Sequence, residues 1–469
     1  MYEVNEKNAL KKPYDPDMTD AVAIWISNSL HKLANIVKKP FFYVLLFFFM
    51  FNTNFVFFPF SSRIMIAAAG AVLFVFTFWK NRNIEIMLKP AIFFLIVVLL
   101  GLCSTVVQQE LDFSFFKEEI VVLMVIPLFG AYLVSYVGRR INVSMAQVLK
   151  GYIFINSLQS VIIIWGLLQP SFKDKLIGIQ KWNDRTEFIM RYGGRMCGLG
   201  ARFDYGSMLI SLSLICIVFL YFIQAKKEPV KFVLLYTVQT IAGALLARSV
   251  IFGVLCSSIL FLILDSRRKK KLKILGVIGA LIGLAVLFVV IFYSQLQPLL
   301  EKYENTFRWM FEMFLSDKSG TNEKANSLTV LSQKMYYLPE HFSTWIIGDG
   351  RFSTKLGNPY GSTDPLYMRY LLFFGIPGIS AFLIFYKSIF DAIGRLSRKC
   401  IYVDMSEKRN TKKFFYVVLA FTLLMYFKSN THCFYFLFYF LFYYFFRTSS
   451  SKPCIEGLKT TKSFQSLFG

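Results

Sequence analysis

Four arginines, Arg185, Arg191, Arg195 and Arg202, fall within eighteen residues and are interleaved with Gly193, Gly194, Gly198 and Gly200. Guanidinium forks take phosphate oxygens two at a time, and glycines let backbone amides come close, so this pattern predicts an anion site. Spacings of four and seven would set Arg191, Arg195 and Arg202 on one helical face, whereas the glycines argue for an irregular loop. The competing expectation is a structural network in which Asp174, Asp184, Glu187 and Asp204 hold the arginines. Arg248 lies in the short stretch Ala247-Arg-Ser-Val250 between two apolar runs. With almost no loop to lift it into water, it needs an anionic partner or the lipid headgroup zone. A later polar segment holds His341, Asp349, Arg351 and Asp364. They stand among Trp345-Ile-Ile-Gly-Asp-Gly-Arg351 and Gly357-Asn-Pro-Tyr-Gly-Ser-Thr-Asp-Pro365, whose glycines and prolines mark turns that present side chains. A carboxylate or imidazole in such a place can take a proton from a hydroxyl. For His341 alone, an ordinary hydrogen-bonded surface histidine is the competing expectation.

The elements that must position these residues are membrane spans. The 469 residues are 56% hydrophobic and only 17% charged, with 53 phenylalanines, and the mean hydropathy is +0.52. Soluble domains carry about 25% charged residues, and uncharged stretches near 18 residues recur here, the length that crosses ~30 Å of hydrocarbon. A soluble enzyme, a disordered chain and a disulfide scaffold are excluded. Twelve spans are predicted: Phe41–Phe58, Ile64–Trp79, Ala91–Val107, Ile120–Val137, Tyr152–Leu168, Ser207–Ile223, Phe232–Leu246, Val250–Leu264, Ile274–Tyr293, Tyr370–Tyr386, Phe414–Phe427 and Phe434–Phe446. The last two are short and separated only by Lys428-Ser-Asn-Thr-His432.

The net charge of +24 becomes a topology signal once the spans are placed. With both termini cytoplasmic, the inner segments carry a net +21 and the outer ones +3, as the positive-inside rule requires; no nucleic-acid partner is implied. The plan is an all-α polytopic membrane protein: a cytoplasmic segment 1–40, a membrane domain 41–446 and a cytoplasmic tail 447–469. Two large loops, 169–205 and 294–369, face outside. Ala21–Val37 reads as an amphipathic helix on the inner leaflet or a solvated one. Leu296, Leu300, Tyr303, Phe307, Met310 and Phe314 predict another, packed on the bundle as a lid or lying on the outer leaflet. The seven cysteines show no metal spacing, and only Cys197 and Cys433 would meet oxidising conditions. The spans as drawn contain no Asp, Glu, Lys, Arg or His, and no internal repeat marks a carrier, so function is expected at the outer face rather than at mid-membrane.

These residues resemble a family, the Wzy-type bacterial polysaccharide (O-antigen) polymerases and the related O-antigen ligases. Arg195 and Gly206, with ten residues between them, resemble the family's R-x10-G pattern, and GGRMCGLGARFDYGSMLISL is similar in context. ARSVIFGVL from Ala247 resembles its short Arg-Ser turn, and WIIGDG its hydrophobic-Gly-x-Gly element. Asp364-Pro365, nine residues ahead of Gly375, stands in the frame of its H-[NSQ]-x9-G motif, with Asp364 where the family has histidine. The likeness covers roughly residues 152–386. It implies a GT-C-like membrane glycosyltransferase in the bacterial cytoplasmic membrane with its active site facing the periplasm, needing no metal or other cofactor. Its substrates would be oligosaccharide repeat units on undecaprenyl pyrophosphate, and its product O-antigen, capsule or exopolysaccharide. A chain-length regulator is the implied partner, beside membrane lipid. Asp364 first and His341 second would take the acceptor proton. Arg191, Arg195, Arg202, Arg248 and Arg351 would hold pyrophosphate or glycan, Arg351 alternatively pairing with Asp364. A ligase using the same donor, and a flippase for lipid-linked sugars, are the alternatives.

Overall fold

A computed structural model describes residues 40–80, 84–110, 112–192, 195–224, 228–264, 335–354, 359–400 and 405–448. The expected helix at Ala21–Val37, the span Ile274–Tyr293, the amphipathic run from Leu296 to Phe314 and the C-terminal tail lie outside the described residues. Among those residues the chain is helical, with no strand and only two isolated bridges, Phe55–Gln180 and Ser353–Pro359. The helices are α1 (Pro40–Met50), α2 (Ser62–Thr77), α3 (Ile84–Val107), α4 (Phe116–Arg140), α5 (Met145–Leu168), α6 (Pro170–Gly178) and α7 (Asp184–Tyr192). There follow α8 (Phe203–Ile223), α9 (Pro229–Leu246), α10 (Val250–Leu264), α11 (Phe342–Ile346), α12 (Leu366–Lys399), α13 (Met405–Tyr426) and α14 (Phe434–Thr448). Six of them, α3, α4, α5, α8, α9 and α12, are long and apolar enough to cross a membrane. The chain is a multi-pass membrane protein by this measure, and α1, α2 and α10 are shorter apolar helices.

The centre of the bundle is α14. Its sequence FYFLFYFLFYYFF is apolar on every side, and every residue from Phe434 to Phe446 is buried, as such a helix must be. Phe442 meets Tyr132 of α4 edge-on at 5.1 Å, Phe445 stacks on Phe78 at 5.5 Å, and Phe440 meets Phe415 of α13 at 5.6 Å. Each such pair adds about 0.5–1.5 kcal/mol beyond its burial. Where α2 crosses α4, a Cβ on Gly70 would stand 2.0 Å from the Phe129 carbonyl oxygen. Only glycine permits so close an approach.

Charged and polar segments sort to two ends. At one end, Lys181 N donates to Asn54 O (2.7 Å), Gln108 Nε2 to Gly348 O (2.5 Å) and the Phe352 amide to Asp112 (2.7 Å). Apart from Asn54, which lies near the end of the first predicted span, these residues come from the segments assigned outside by charge, and this end is the loop end. At the opposite end, Arg447 donates to Val143 O (2.6 Å) and Lys413 to Ile263 O (3.2 Å); Arg447, Val143 and Lys413 are assigned inside, and Ile263 stands at the end of a predicted span.

The predicted span Phe41–Phe58 is helical only as far as Met50. Arg63 ends it: its guanidinium takes the Phe49 and Met50 carbonyls, Nε donating to Phe49 O at 3.2 Å, while Tyr205 Oη donates to Met50 O at 2.7 Å. Satisfying the orphan carbonyls from the side lets the chain leave the helix, and residues 51–61 become a connection at the loop end.

Candidate functional site

The arginine segment is irregular, as its glycines argue, and it is clamped by two amides. Gln159 of α5, fully buried, donates to Leu199 O (2.5 Å) and accepts from Leu199 N (3.0 Å). Gln180 accepts from Gly200 N (2.8 Å) and donates to Gly198 O (3.3 Å). Gly200 has φ +74°, and a Cβ there would lie 2.8 Å from the Asn52 backbone, so this position requires glycine. The clamp sets Arg195 and Arg202 on either side of a fixed turn. The turn is tied to the Ala247-Arg-Ser stretch: Met196 N donates to Leu245 O (3.1 Å), Ser207 Oγ to Ala247 O (3.1 Å), and a Cβ on Gly206 would meet Leu246 at 2.8 Å. The Arg195–Gly206 segment and the turn bearing Arg248 are therefore one unit.

Cations gather where α8 begins. The Arg195 guanidinium stands 5.0 Å from the Phe203 ring centre, and Arg202 stands 5.6 Å from that of Trp182. Arg63, buried, donates to the Tyr205 hydroxyl and lies 3.7 Å over the Tyr435 ring; its like charge acts on Arg202. Asp204, in the first turn of α8, accepts from Ser249 Oγ (2.6 Å) and from Lys428 Nζ (2.5 Å).

A second unit forms around a break in α12. Pro377 has no N–H to offer the Phe373 carbonyl four residues earlier, and the helix is interrupted at Phe374 (φ −140°) and Gly375 (φ 67°). The freed carbonyls are taken by the glycine-flanked loop and by α3: Asp349 N donates to Leu372 O (2.6 Å), Gly350 N to Phe373 O (3.1 Å), and Ser104 Oγ of α3 to Phe373 O (2.6 Å). Gly348 and Gly350 both have positive φ, and a Cβ on Gly348 would sit 2.3 Å from the Phe373 carbonyl carbon. The loop is pinned from the other side by Asp112, which accepts from the Phe352 and Ser353 amides at 2.7 and 2.8 Å. Burial alone would raise the Asp112 carboxyl. Hydrogen bonds from Ser114, Ser353 and Phe352 outweigh it and hold the group below the usual carboxylate range. Thr344 Oγ1 donates to Asp349 (2.6 Å), and Arg351 pairs with Glu110.

The two units meet through Lys428-Ser-Asn-Thr-His432. Lys428 reaches Asp204 in the first unit. In the second, fully buried Glu119 of α4 accepts from His432 Nε2 (2.9 Å), from the Tyr370 hydroxyl of α12 (2.9 Å) and from Asn430 Nδ2. The Tyr426 hydroxyl stands 2.9 Å from His432 Nδ1. Glu119 lies in the first ten residues of α4, Phe116–Val125, which wind as a π-helix. Arg369 faces Glu118 at 3.8 Å and lies 4.0 Å over the Phe352 ring.

The structure thus divides the predicted residues. Arg195, Arg202 and Arg248 belong to the first unit; Arg351 lies in the second, His341 directly precedes α11, and Asp364 just precedes α12, the last two exposed. Arg191 does not share a helical face with Arg195 and Arg202. It sits on α7, held by Glu187 (2.9 Å) and Asp174 (3.4 Å), and its hydrogen bond to Glu187 raises its pKa. This arginine thus stands in a carboxylate network of the kind given as the competing expectation. Arg351 has Glu110 as a partner, a residue outside the expected set. Cys197 and Cys433 are buried free thiols rather than a disulfide, and burial pushes Cys197 up to about 12. Among the described residues no three His, Cys, Asp or Glu side chains gather as metal ligands.

Sequence reasoning passed over Arg63, Glu119, Lys428 and His432. Each stands at the edge of an apolar run, where a charge is ordinarily solvated. The only signal was five consecutive polar residues between two aromatic runs, Lys428 to His432. Compared with known proteins, the chain matches no family model, and no curated protein matches it.

Proposed function

We propose that this chain is a membrane glycosyltransferase that polymerises oligosaccharide repeat units carried on undecaprenyl pyrophosphate, at the outer face of the bacterial cytoplasmic membrane. The observation that carries the reading is the gathering of Arg63 from α2, Arg195 and Arg202 from the segment ahead of α8, and Lys428 from the α13–α14 turn at the start of α8. A lipid-linked donor needs a site at a membrane face with fixed cations at its edge. In the reaction an acceptor hydroxyl attacks the anomeric carbon of the donor glycan. The bond from that carbon to the diphosphate oxygen breaks, and the electron pair leaves on the lipid pyrophosphate. Fixed cations aimed at the charge that develops there lower the barrier, and removing one such group costs about 10²–10³ in rate. Asp364, or His341 after it, takes the hydroxyl proton; both are exposed in the loop segment around α11 and α12.

The test is the length distribution of surface glycan in a deletion strain, beside strains complemented with the wild type and with Arg195→Ala. Collapse of the ladder to a single capped repeat unit, restored by the wild type and not by the variant, is the expected result. Full-length polymer held on its lipid would mean a ligase, and single units trapped at the inner face a flippase. A normal ladder with a correctly inserted Arg195→Ala protein would remove the pyrophosphate role.

A further inference from the structure

We propose that Lys428, Ser249 and Arg195 form a diphosphate-binding subsite that the Asp204 carboxylate occupies as a resident anion, so that ligand and Asp204 compete for the same donors. The proposal rests on the lipid-pyrophosphate reading above, and adds to it the members of the subsite and the regulation of access.

Three elements meet here: the first turn of α8, the α9–α10 turn and the α13–α14 turn. Ser249 Oγ and Lys428 Nζ both converge on one oxygen, Oδ1 of Asp204, at 2.6 and 2.5 Å. Arg195 is close enough to act on the same carboxylate. A hydroxyl and an ammonium on one anionic oxygen, with a guanidinium near enough to act on the same carboxylate, is a donor set that a phosphate group takes.

Access and energy both favour exchange. The Lys428 and Asp204 side chains keep 29% and 26% of their surface exposed, so an incoming anion can reach them. Partly exposed ion pairs are weak, and an anion of higher charge can displace such a carboxylate, whereas a fully buried pair such as Glu119–His432 resists opening. Arg63, which acts on Arg202 nearby, adds further positive potential to the same end.

The competition fixes the sign of one substitution. A structural carboxylate would leave the subsite looser when neutralised; a competing one leaves it freer. The full-length protein in lipid nanodiscs is titrated with radiolabelled inorganic pyrophosphate at low salt, with orthophosphate as the control anion. Asp204→Asn is expected to bind pyrophosphate at least tenfold more tightly than the wild type. Lys428→Met is expected to bind at least tenfold more weakly, and Ser249→Ala severalfold more weakly. In a second arm, undecaprenyl pyrophosphate placed in the nanodisc competes with the label if the lipid headgroup is the ligand. Label that binds but is not displaced by the lipid keeps the diphosphate subsite and refutes the lipid reading alone.

Equal or weaker binding by a folded Asp204→Asn protein overturns the proposal, as does undiminished binding by Lys428→Met. Asp204→Ser is the second variant; if both Asp204 variants fail to fold, Asp204 is structural and the proposal falls. Since no glycan enters this assay, its failure leaves the ladder experiment to judge polymerisation on its own.

Discussion

Substituting Glu119 tests the idea that the last loop-end turn is fastened to the bundle by a buried carboxylate. Glu119 is fully buried and accepts from His432, Tyr370 and Asn430. Glu119→Ala leaves those three donors facing a void. Each unpaired buried group costs about 1–3 kcal/mol, and more where the lost partner carries a charge. His432 Nε2 also lies 3.1 Å from Asn430 Oδ1, which offers one donor a partial refuge. The expected loss is therefore about 3–5 kcal/mol for Glu119→Ala, and about 1–2 kcal/mol for Glu119→Gln, which keeps one acceptor oxygen. The assay is equilibrium unfolding of the purified protein in mixed detergent and SDS micelles, run as a double-mutant cycle with His432→Asn. The pair should couple by at least about 1 kcal/mol. Additive single effects, or a Glu119→Ala protein within about 0.5 kcal/mol of wild type, would refute the buried fastening.

The pH dependence of the α12 loop follows from Asp112. Its pKa is lowered in the folded protein, so its contribution is present above the ordinary value near about 4 and is lost as pH falls through the folded value. The stability gap between wild type and Asp112→Asn should shrink as pH is lowered below about 4, measured by thermal unfolding across a pH series; a gap constant with pH contradicts this origin. Gly348→Ala combines φ +80° with a Cβ 2.3 Å from the Phe373 carbonyl carbon. It should destabilise by about 2 kcal/mol or more, read as a lowered thermal midpoint, and an unchanged midpoint would show that the loop does not rest on the break.

Composition and charge were enough to read a multi-pass helical membrane chain, because hydrocarbon accepts only segments whose backbone is satisfied internally. The glycines of the arginine segment also announced an irregular loop, and Gly200 at φ +74° bears that out. The span ends were harder to read. Phe41–Phe58 is apolar except for Asn52-Thr-Asn54, which stand just past Met50; the stop itself is made by Arg63 and Tyr205, which arrive from other helices. The likeness-bearing segments were visible one by one along the chain, but their pairing was not. Pro377 and Gly375 foretell a break in α12 without naming Asp349, Gly350 and Ser104 as the donors that repair it.

Sequence by itself determined which residues are apolar, where glycine frees the backbone and where proline withholds a donor, since these are properties of single side chains. Tertiary structure alone decided which charges are buried. Glu119, Arg63 and His432 read as solvated span ends, yet they lie inside because partners from distant helices replace the water they give up. It also decided that Arg191 belongs to α7 and its carboxylates while Lys428 joins Asp204. Such assignments depend on which ends of the bundle are neighbours, and that is settled by packing rather than by spacing along the chain.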